Sequence, residues 1–441
     1  MQRRGLSWGL VLSLAFLGLS MSTGWALNKG YSFKLIEHSY TSSPLVIGAI
    51  LSLQGIIGGI VPVVSGYYSD KHFSSRGRRK PFVLAGGLMA AIATALVYVV
   101  YINHLNLVVF TITLAFFFFS IYFYSPIYRS LMPDVIPSGE RGNASGVITL
   151  FEWMGNLILF GLIAILASEA SNMYPNASDE IVAMIKANLF VLPFVLVGAL
   201  LLGSALYVYF RVDEPEVKRT QLHDVKLGTY LREIFSDREF LSFYFAQVLF
   251  WLSFEFVAVF MMGILRSVLG TQKVTAIGNA IMALFNVTVL VGAVIGGPLY
   301  ERFNRRKSIV IGGIIFLIPF LFGWFVRTRL EIVTLMGLGG IGWGIFVAAS
   351  WPVIGDLLSK YEREELNGRY YGIFEAVKSL PIFIAAIVGG VIVYLTGGAA
   401  FSSANFNYRV LFPVGAIFVA IAIPLIWSMK HLDKARTGAG E

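Results

Sequence analysis

The chain has 441 residues, 57% of them hydrophobic and 13% charged, with a net charge of +9 and no cysteine. Soluble domains carry about a quarter charged residues, so this composition belongs to a polytopic membrane protein. The missing thiol excludes disulfides, thiolate metal sites and thiol catalysis, and the histidines (His38, His72, His104, His223 and His431) are too scattered to suggest a metal cluster.

In chain order, a basic head (Met1 to Arg4) precedes an apolar run from Leu6 to about Leu27. That run has no small-residue cleavage site leading into soluble sequence, so it reads as a first span rather than a signal peptide. Further apolar runs lie near 44–68, 82–102, 107–132, 145–168 and 188–210. The longest polar stretch follows, with Arg211, Lys218, Arg219, Lys226, Arg232 and Arg238. Apolar runs resume near 240–264, 275–299, 308–326, 331–358, 369–396 and 409–429. Each run is long enough to cross a bilayer, which takes about 20 apolar residues. The expected organisation is an N-terminal six-helix bundle (1–210), a cytoplasmic linker (211–238), a C-terminal six-helix bundle (239–430) and a cytoplasmic tail (431–441).

Basic residues in short loops resist translocation. The head, the tail and the loops after even-numbered runs hold 24 Lys and Arg, against 7 in the opposite loops. Both termini and the linker are therefore expected in the cytoplasm, in a multi-pass protein of the cell membrane. These loops also account for the positive charge, so the lipid bilayer is expected as a partner and nucleic acid is not.

The two sets of six runs echo each other. GYYSDKHFSSRGRRK (66–80) and GPLYERFNRRK (297–307) each follow the second run of their half, opening with Gly-x-x-x-acid and closing in two arginines and a lysine. PDVIPSGERGNASG (133–146) corresponds to GDLLSKYEREELNGRYYG (355–372), and LFE (150–152) to IFE (373–375). Two homologous halves joined by a cytoplasmic link are what the major facilitator fold requires.

The loop opening at Gly66, with Asp70, Arg78, Arg79 and Pro81 at their spacing, resembles that of the sucrose transporters and related glycoside–cation symporters of the major facilitator superfamily. Trp25-Ala26-Leu27-Asn28, the Arg129–Asp134 spacing in SPIYRSLMPD, and WLSFEFVAVFMMG (251–263) extend the resemblance, strongly in the first half and weakly in the second. It implies an all-α membrane protein of twelve transmembrane helices in two pseudo-symmetric bundles. It also implies secondary transport of a glycoside or small oligosaccharide by alternating access, as symport of sugar with a proton. A cytoplasmic gate would then involve Gly66, Asp70, Arg78, Arg79, Asp134 and the echo Glu301. Two departures stand out. The family's acid of the fourth run falls within Phe116 to Phe119, and those of the seventh run fall on Ala258 and Phe260. The second run has no acid before Asp70, so the sodium site of melibiose-type relatives is not visible either.

Ionisable groups inside a bilayer are costly and usually line a cavity or pair. Those within runs are Arg129, Glu152, Glu255, Glu375 and Lys378. Arg129 is expected to hold sugar hydroxyls or a neighbouring carboxylate, against the alternative of snorkelling to the surface. Glu152, Glu255 and Glu375 are the candidate proton carriers. Lys378 lies three residues from Glu375 and is placed to neutralise it. Glu152 has no basic neighbour on its own run, and Arg129 across the hairpin is its expected partner, which makes it the preferred switch. Flat rings and amides suit a sugar: Trp25, Asn28, Gln54, Asn156, Trp251, Trp343 and Trp351 are candidates, although tryptophans also mark interfaces and amides also bind helices together. No nucleotide-binding loop or catalytic constellation appears, so the chain reads as a transporter without cofactor or metal, and a monomer is expected. An exporter or facilitator of another polar solute is the alternative within transport, and a transporter-like sugar sensor is the alternative outside it.

Overall fold

The computed structural model describes residues 8–72, 77–136, 141–214, 236, 238–270, 274–303, 305–360, 367–396 and 406–429. Most of the linker (215–235 and 237), the tail and the side chains of Asp70, Asp134, Glu301, Trp351 and Glu375 lie outside the described residues. The described chain is helical: α1 (Trp8–Ser39), α2 (Pro44–Lys71), α3 (Lys80–Ile102), α4 (Leu107–Val135), α5 (Arg141–Met173), α6 (Glu180–Lys186), α7 (Val191–Arg211), α8 (Arg238–Ala258), α9 (Met261–Leu269), α10 (Val274–Phe303), α11 (Arg305–Phe322), α12 (Arg329–Lys360), α13 (Asn367–Thr396) and α14 (Leu411–Ser428). Twelve of these are long and apolar enough to cross a membrane. A helix suits that environment because all its backbone bonds are made internally.

Local chemistry sets the ends. Proline opens α2 directly after Ser43. The Asn106 side chain accepts the Val109 N–H to cap α4, and Gly270, at φ +78°, stops α9. Three features depart from the sequence reading. The first helix does not end near Leu27 but runs on to Ser39, so Lys29 and Lys34 are helical residues rather than loop residues. The seventh apolar run is broken at Val259 and Phe260 into α8 and α9. The short α6, capped by Asp179 through the Ile181 N–H at 2.8 Å, lies between the fifth and sixth spans.

In the first six spans α1 packs on α5, and α3 on both α4 and α7; in the last six α12 packs on α10 and α11, and α8 on α14. The two sets meet mainly where α2 lies on α13 and α5 on α10. Exchanging the halves converts one of these contacts into the other, as two equivalent bundles require. Gly55 makes the first contact close. A Cβ there would sit 2.2 Å from the Phe383 backbone nitrogen, so only a missing side chain lets the two backbones approach.

The basic loop ends on an anchor of its own. The Glu214 carboxylate accepts the backbone N–H groups of Arg79 (3.0 Å) and Lys80 (3.2 Å) at the start of α3, where a negative charge complements the helix dipole. Gly77 precedes it at φ +95°, and a Cβ there would collide with the same carboxylate. The cap at the start of α3 is thus supplied by an acid from beyond α7.

Candidate functional site

A cavity of about 240 Å³ lies between the two sets of spans, walled by α1, α2, α4 and α5 on one side and by α8 to α14 on the other. Four of its charged groups form two ion pairs. Arg129 of α4 meets Glu152 of α5, with Nη2 3.1 Å from Oε1 and 3.3 Å from Oε2. Their side chains are 14% and 11% exposed, so Arg129 does not snorkel to the surface. Lys29 of α1 meets Glu255 of α8, with Nζ 3.0 and 3.1 Å from the two carboxylate oxygens. The first pair stays within one half; the second crosses from one half to the other. Lys378 lies 5.4 Å from the ring centroids of both Trp251 and Phe374, within cation–π range.

The two walls differ in chemistry. The first half contributes Ser22, Lys29, Gln54, Ser125, Arg129, Thr149, Glu152 and Asn156, with Trp25 edge-on to Tyr122 at 4.7 Å. The second half is largely aromatic. Trp343 stacks on Phe254 at 4.6 Å, takes Trp251 edge-on at 4.7 Å and lies 5.0 Å from Phe316. Among the described residues, the Trp343 Nε1 and the Asn286 Oδ1 on this wall have no hydrogen-bond partner.

Of the residues expected to hold solute, Trp25, Gln54, Arg129, Asn156 and Trp251 line the cavity, as does Trp343. Asn28 does not. Its amide donates to Gln54 Oε1 (2.8 Å) and its carbonyl accepts from Ser32 Oγ (2.6 Å), so it ties α1 to α2 instead. Glu152 and Glu255 line the cavity; Glu375 and Trp351 are outside the described side chains. Of the gate residues, Gly66 lies within α2, and Arg79 is buried with its guanidinium against Ser130 Oγ. Lys29, Phe254 and Asn286 were missed as site residues. The signal for Lys29 was present in the sequence, because no proline interrupts the chain between it and Pro44.

Residues 37–401 match the profile of the family described as MFS/sugar transport protein. The chain belongs to this family. Among curated relatives, a 79-residue stretch is 38% identical to the sucrose transport protein SUT5 of Oryza sativa subsp. indica, covering 17% of this chain and 14% of that one. A 163-residue stretch is 26% identical to the MFS-type efflux pump MMF1 of Pseudozyma antarctica, covering 35% and 28%. Multidrug resistance protein 3 of Bacillus subtilis is 27% identical over 141 residues, covering 29% and 28%. The matches thus span under a third of these relatives' lengths. Among solved structures, a bacterial homologue of the human lysosomal transporter Spinster in an inward-facing, unoccupied conformation superposes with a TM-score of 0.73, at 15% identity and with 100% of both chains covered. The nucleoside transporter NupG superposes at 0.68, with 14% identity, 96% of this chain and 100% of that one. At such identities the likeness establishes the fold. This member of the family is a multi-pass membrane transporter and not an enzyme.

At the end of the transporter that carries α6, the halves are bridged again. Glu37 of α1 pairs with Arg266 of α9 at 2.5 Å, and Lys34 pairs with Asp179 at 2.9 Å. Glu180 of α6 accepts the backbone N–H groups of Thr275 and Ala276 at the start of α10. Burial raises the Asp179 carboxyl, but Lys34 and the Ile181 N–H outweigh it and hold the group below its usual range. Glu180 moves the other way: burial pushes its carboxyl up against the two N–H donors. A raised carboxyl favours the folded state fully below its unfolded value, and that contribution is lost as pH climbs through the folded value. Thermal stability is therefore expected to fall as pH rises just beyond the ordinary carboxylate range. Glu180→Gln should flatten that part of the melting profile, and an unchanged profile would assign the slope to another group.

Proposed function

We propose that this transporter moves a glycoside or small oligosaccharide by exposing the central cavity alternately to the two sides of the membrane, with a proton as the coupling ion. The observation that carries the reading is the cavity itself, where ring faces and amides stand beside two acids inside a twelve-helix protein of a sugar-transport family. Sugars present apolar C–H faces and a rim of hydroxyls, which such a wall matches. The excess of Lys and Arg in alternate loops puts both termini in the cytoplasm, so the end carrying α6 faces outward, in the cell membrane. Asp70, Asp134 and Glu301 with Arg78 and Arg79 then belong to the opposite, cytoplasmic face, where they retain the proposed gate role.

Uptake into proteoliposomes against a panel of disaccharides tests this. With one proton per sugar, each unit of pH gradient supports about tenfold accumulation, because 1.4 kcal/mol is a factor of ten. Uptake that equilibrates without accumulating would make the protein a facilitator. A second reading, export of an amphipathic solute with a flat ring, is favoured by the aromatic second wall. It predicts that the same vesicles ignore the sugars and extrude such a solute.

A further inference from the structure

The seam between α1 and the α8–α9 pair carries two ion pairs, one above the other. The inner one, Lys29–Glu255, sits on the cavity wall; the outer one, Glu37–Arg266, sits at the end carrying α6. Along α1 they are separated by about 12 Å, at 1.5 Å per residue. Their polarity is reversed, with the cation on α1 in the inner pair and on α9 in the outer. In both, the acid is the more buried partner: the Glu255 and Glu37 side chains are 3% and 6% exposed, and those of Lys29 and Arg266 are both 23% exposed.

Parting α1 from α8 and α9 breaks both pairs, with different consequences. The cations are already partly in contact with solvent and can hydrate. Glu37 keeps Lys34, 3.8 Å away on its own helix. Glu255 keeps nothing comparable, because its stretch of chain has no lysine or arginine between Arg238 and Arg266. Among the described residues, the other charged groups on the cavity wall are Arg129, Glu152 and Lys378; Arg129 and Glu152 already pair with each other, and Lys378 stands over rings. The neighbouring α14 contributes no ionisable group. An ionised carboxylate stripped of its cation in an apolar wall is costly enough that it takes a proton instead. The Arg129–Glu152 pair faces no such event, because both partners belong to the same half and move together.

We infer that Glu255 is the proton-binding residue of transport and that Lys29 is its positioning residue, so that opening the outer end requires a proton on Glu255. This rests on the alternating exposure and orientation proposed above. In the closed state the Glu255 carboxylate is paired with the Lys29 ammonium. As the outer end opens, one proton from the outer solution binds a Glu255 oxygen while Lys29 remains an ammonium facing water. On closure the proton leaves Glu255 for the cytoplasmic solution and the Lys29–Glu255 pair re-forms. The preferred switch thereby shifts from Glu152 to Glu255.

The natural absence of cysteine makes the test direct. A single reporter, Ala258→Cys on the cavity wall, is labelled from outside in right-side-out vesicles with a membrane-impermeant maleimide. Labelling after permeabilisation, together with monodispersity in detergent, confirms that each variant is folded. Labelling extent is normalised to a freely exposed cysteine at each pH, which removes the reagent's own pH dependence. In the reporter background, external labelling should rise about threefold or more between about pH 8 and about pH 5. Glu255→Gln should give high labelling that no longer responds to pH. Lys29→Gln should flatten the profile as well, and the charge swap Lys29→Glu with Glu255→Lys should restore part of it, which loss of packing alone would not do. A pH response that survives in Glu255→Gln overturns the inference, and so does its absence in the reporter background. The proposed function fails separately. If no sugar in the panel is taken up, the sugar reading is wrong whatever the labelling shows, whereas pH-gradient-driven uptake that persists in Glu255→Gln leaves that reading intact and removes only this assignment.

Discussion

Arg129→Leu is expected to abolish most transport and to destabilise the protein by about 3–5 kcal/mol, the cost of breaking a buried ion pair from one side. The cause is Glu152, whose carboxyl would lose its counter-charge where its side chain is only 11% exposed and would have to remain unpaired or take up a proton. Removing both charges relieves that penalty, so Arg129→Leu with Glu152→Leu should melt close to the wild type while transport stays lost. Arg129→Lys separates charge from shape. It retains the cation but loses the planar fork that addresses two oxygens at once, and uptake should fall at least tenfold in a protein that still inserts. Thermal melts paired with uptake for the three variants check this. A double variant as unstable as the single one would show that the pair does not set the cost.

Trp343→Ala should cost about 3–5 kcal/mol, as expected for emptying a large aromatic site in a packed core. Trp343 is fully buried and joins Phe254, Trp251, Phe316 and Phe346 into one cluster. The informative companion is Trp343→Phe, which keeps a ring and removes Nε1. That nitrogen has no partner among the described residues, so its removal should leave stability within about 1.5 kcal/mol of the wild type, as for other near-conservative core swaps. If solute bonds Nε1, the same variant should weaken binding by about 0.5–1.5 kcal/mol, a typical net hydrogen bond. Binding that is unchanged in Trp343→Phe and lost in Trp343→Ala would assign the residue to packing and ring contact alone.

The membrane class, the twelve spans and the twofold duplication were legible in the sequence because each rests on local composition or on repetition along the chain. Apolar runs of bilayer length form helices wherever they insert, as every backbone group must be satisfied internally, and the echo of 66–80 in 297–307 needs no fold to be seen. The Arg129–Glu152 pair was also within reach, because a hairpin of adjacent helices brings its two arms together. The end of α1 was harder. A run of polar residues from Asn28 onward reads as a loop by hydropathy, yet it stays helical because each of its polar groups finds a partner elsewhere: Asn28 on Gln54, Lys29 on Glu255, Lys34 on Asp179 and Glu37 on Arg266. Only the tertiary structure supplies those partners. Lys29 and Glu255 stand 226 residues apart in the chain, and nothing in the neighbourhood of either predicts the other. Composition therefore determined that this chain enters the membrane and how often it crosses. Which of its few charges face one another across the two halves was decided by packing, because in a low-dielectric interior a charge is stable only where the fold delivers its counter-charge.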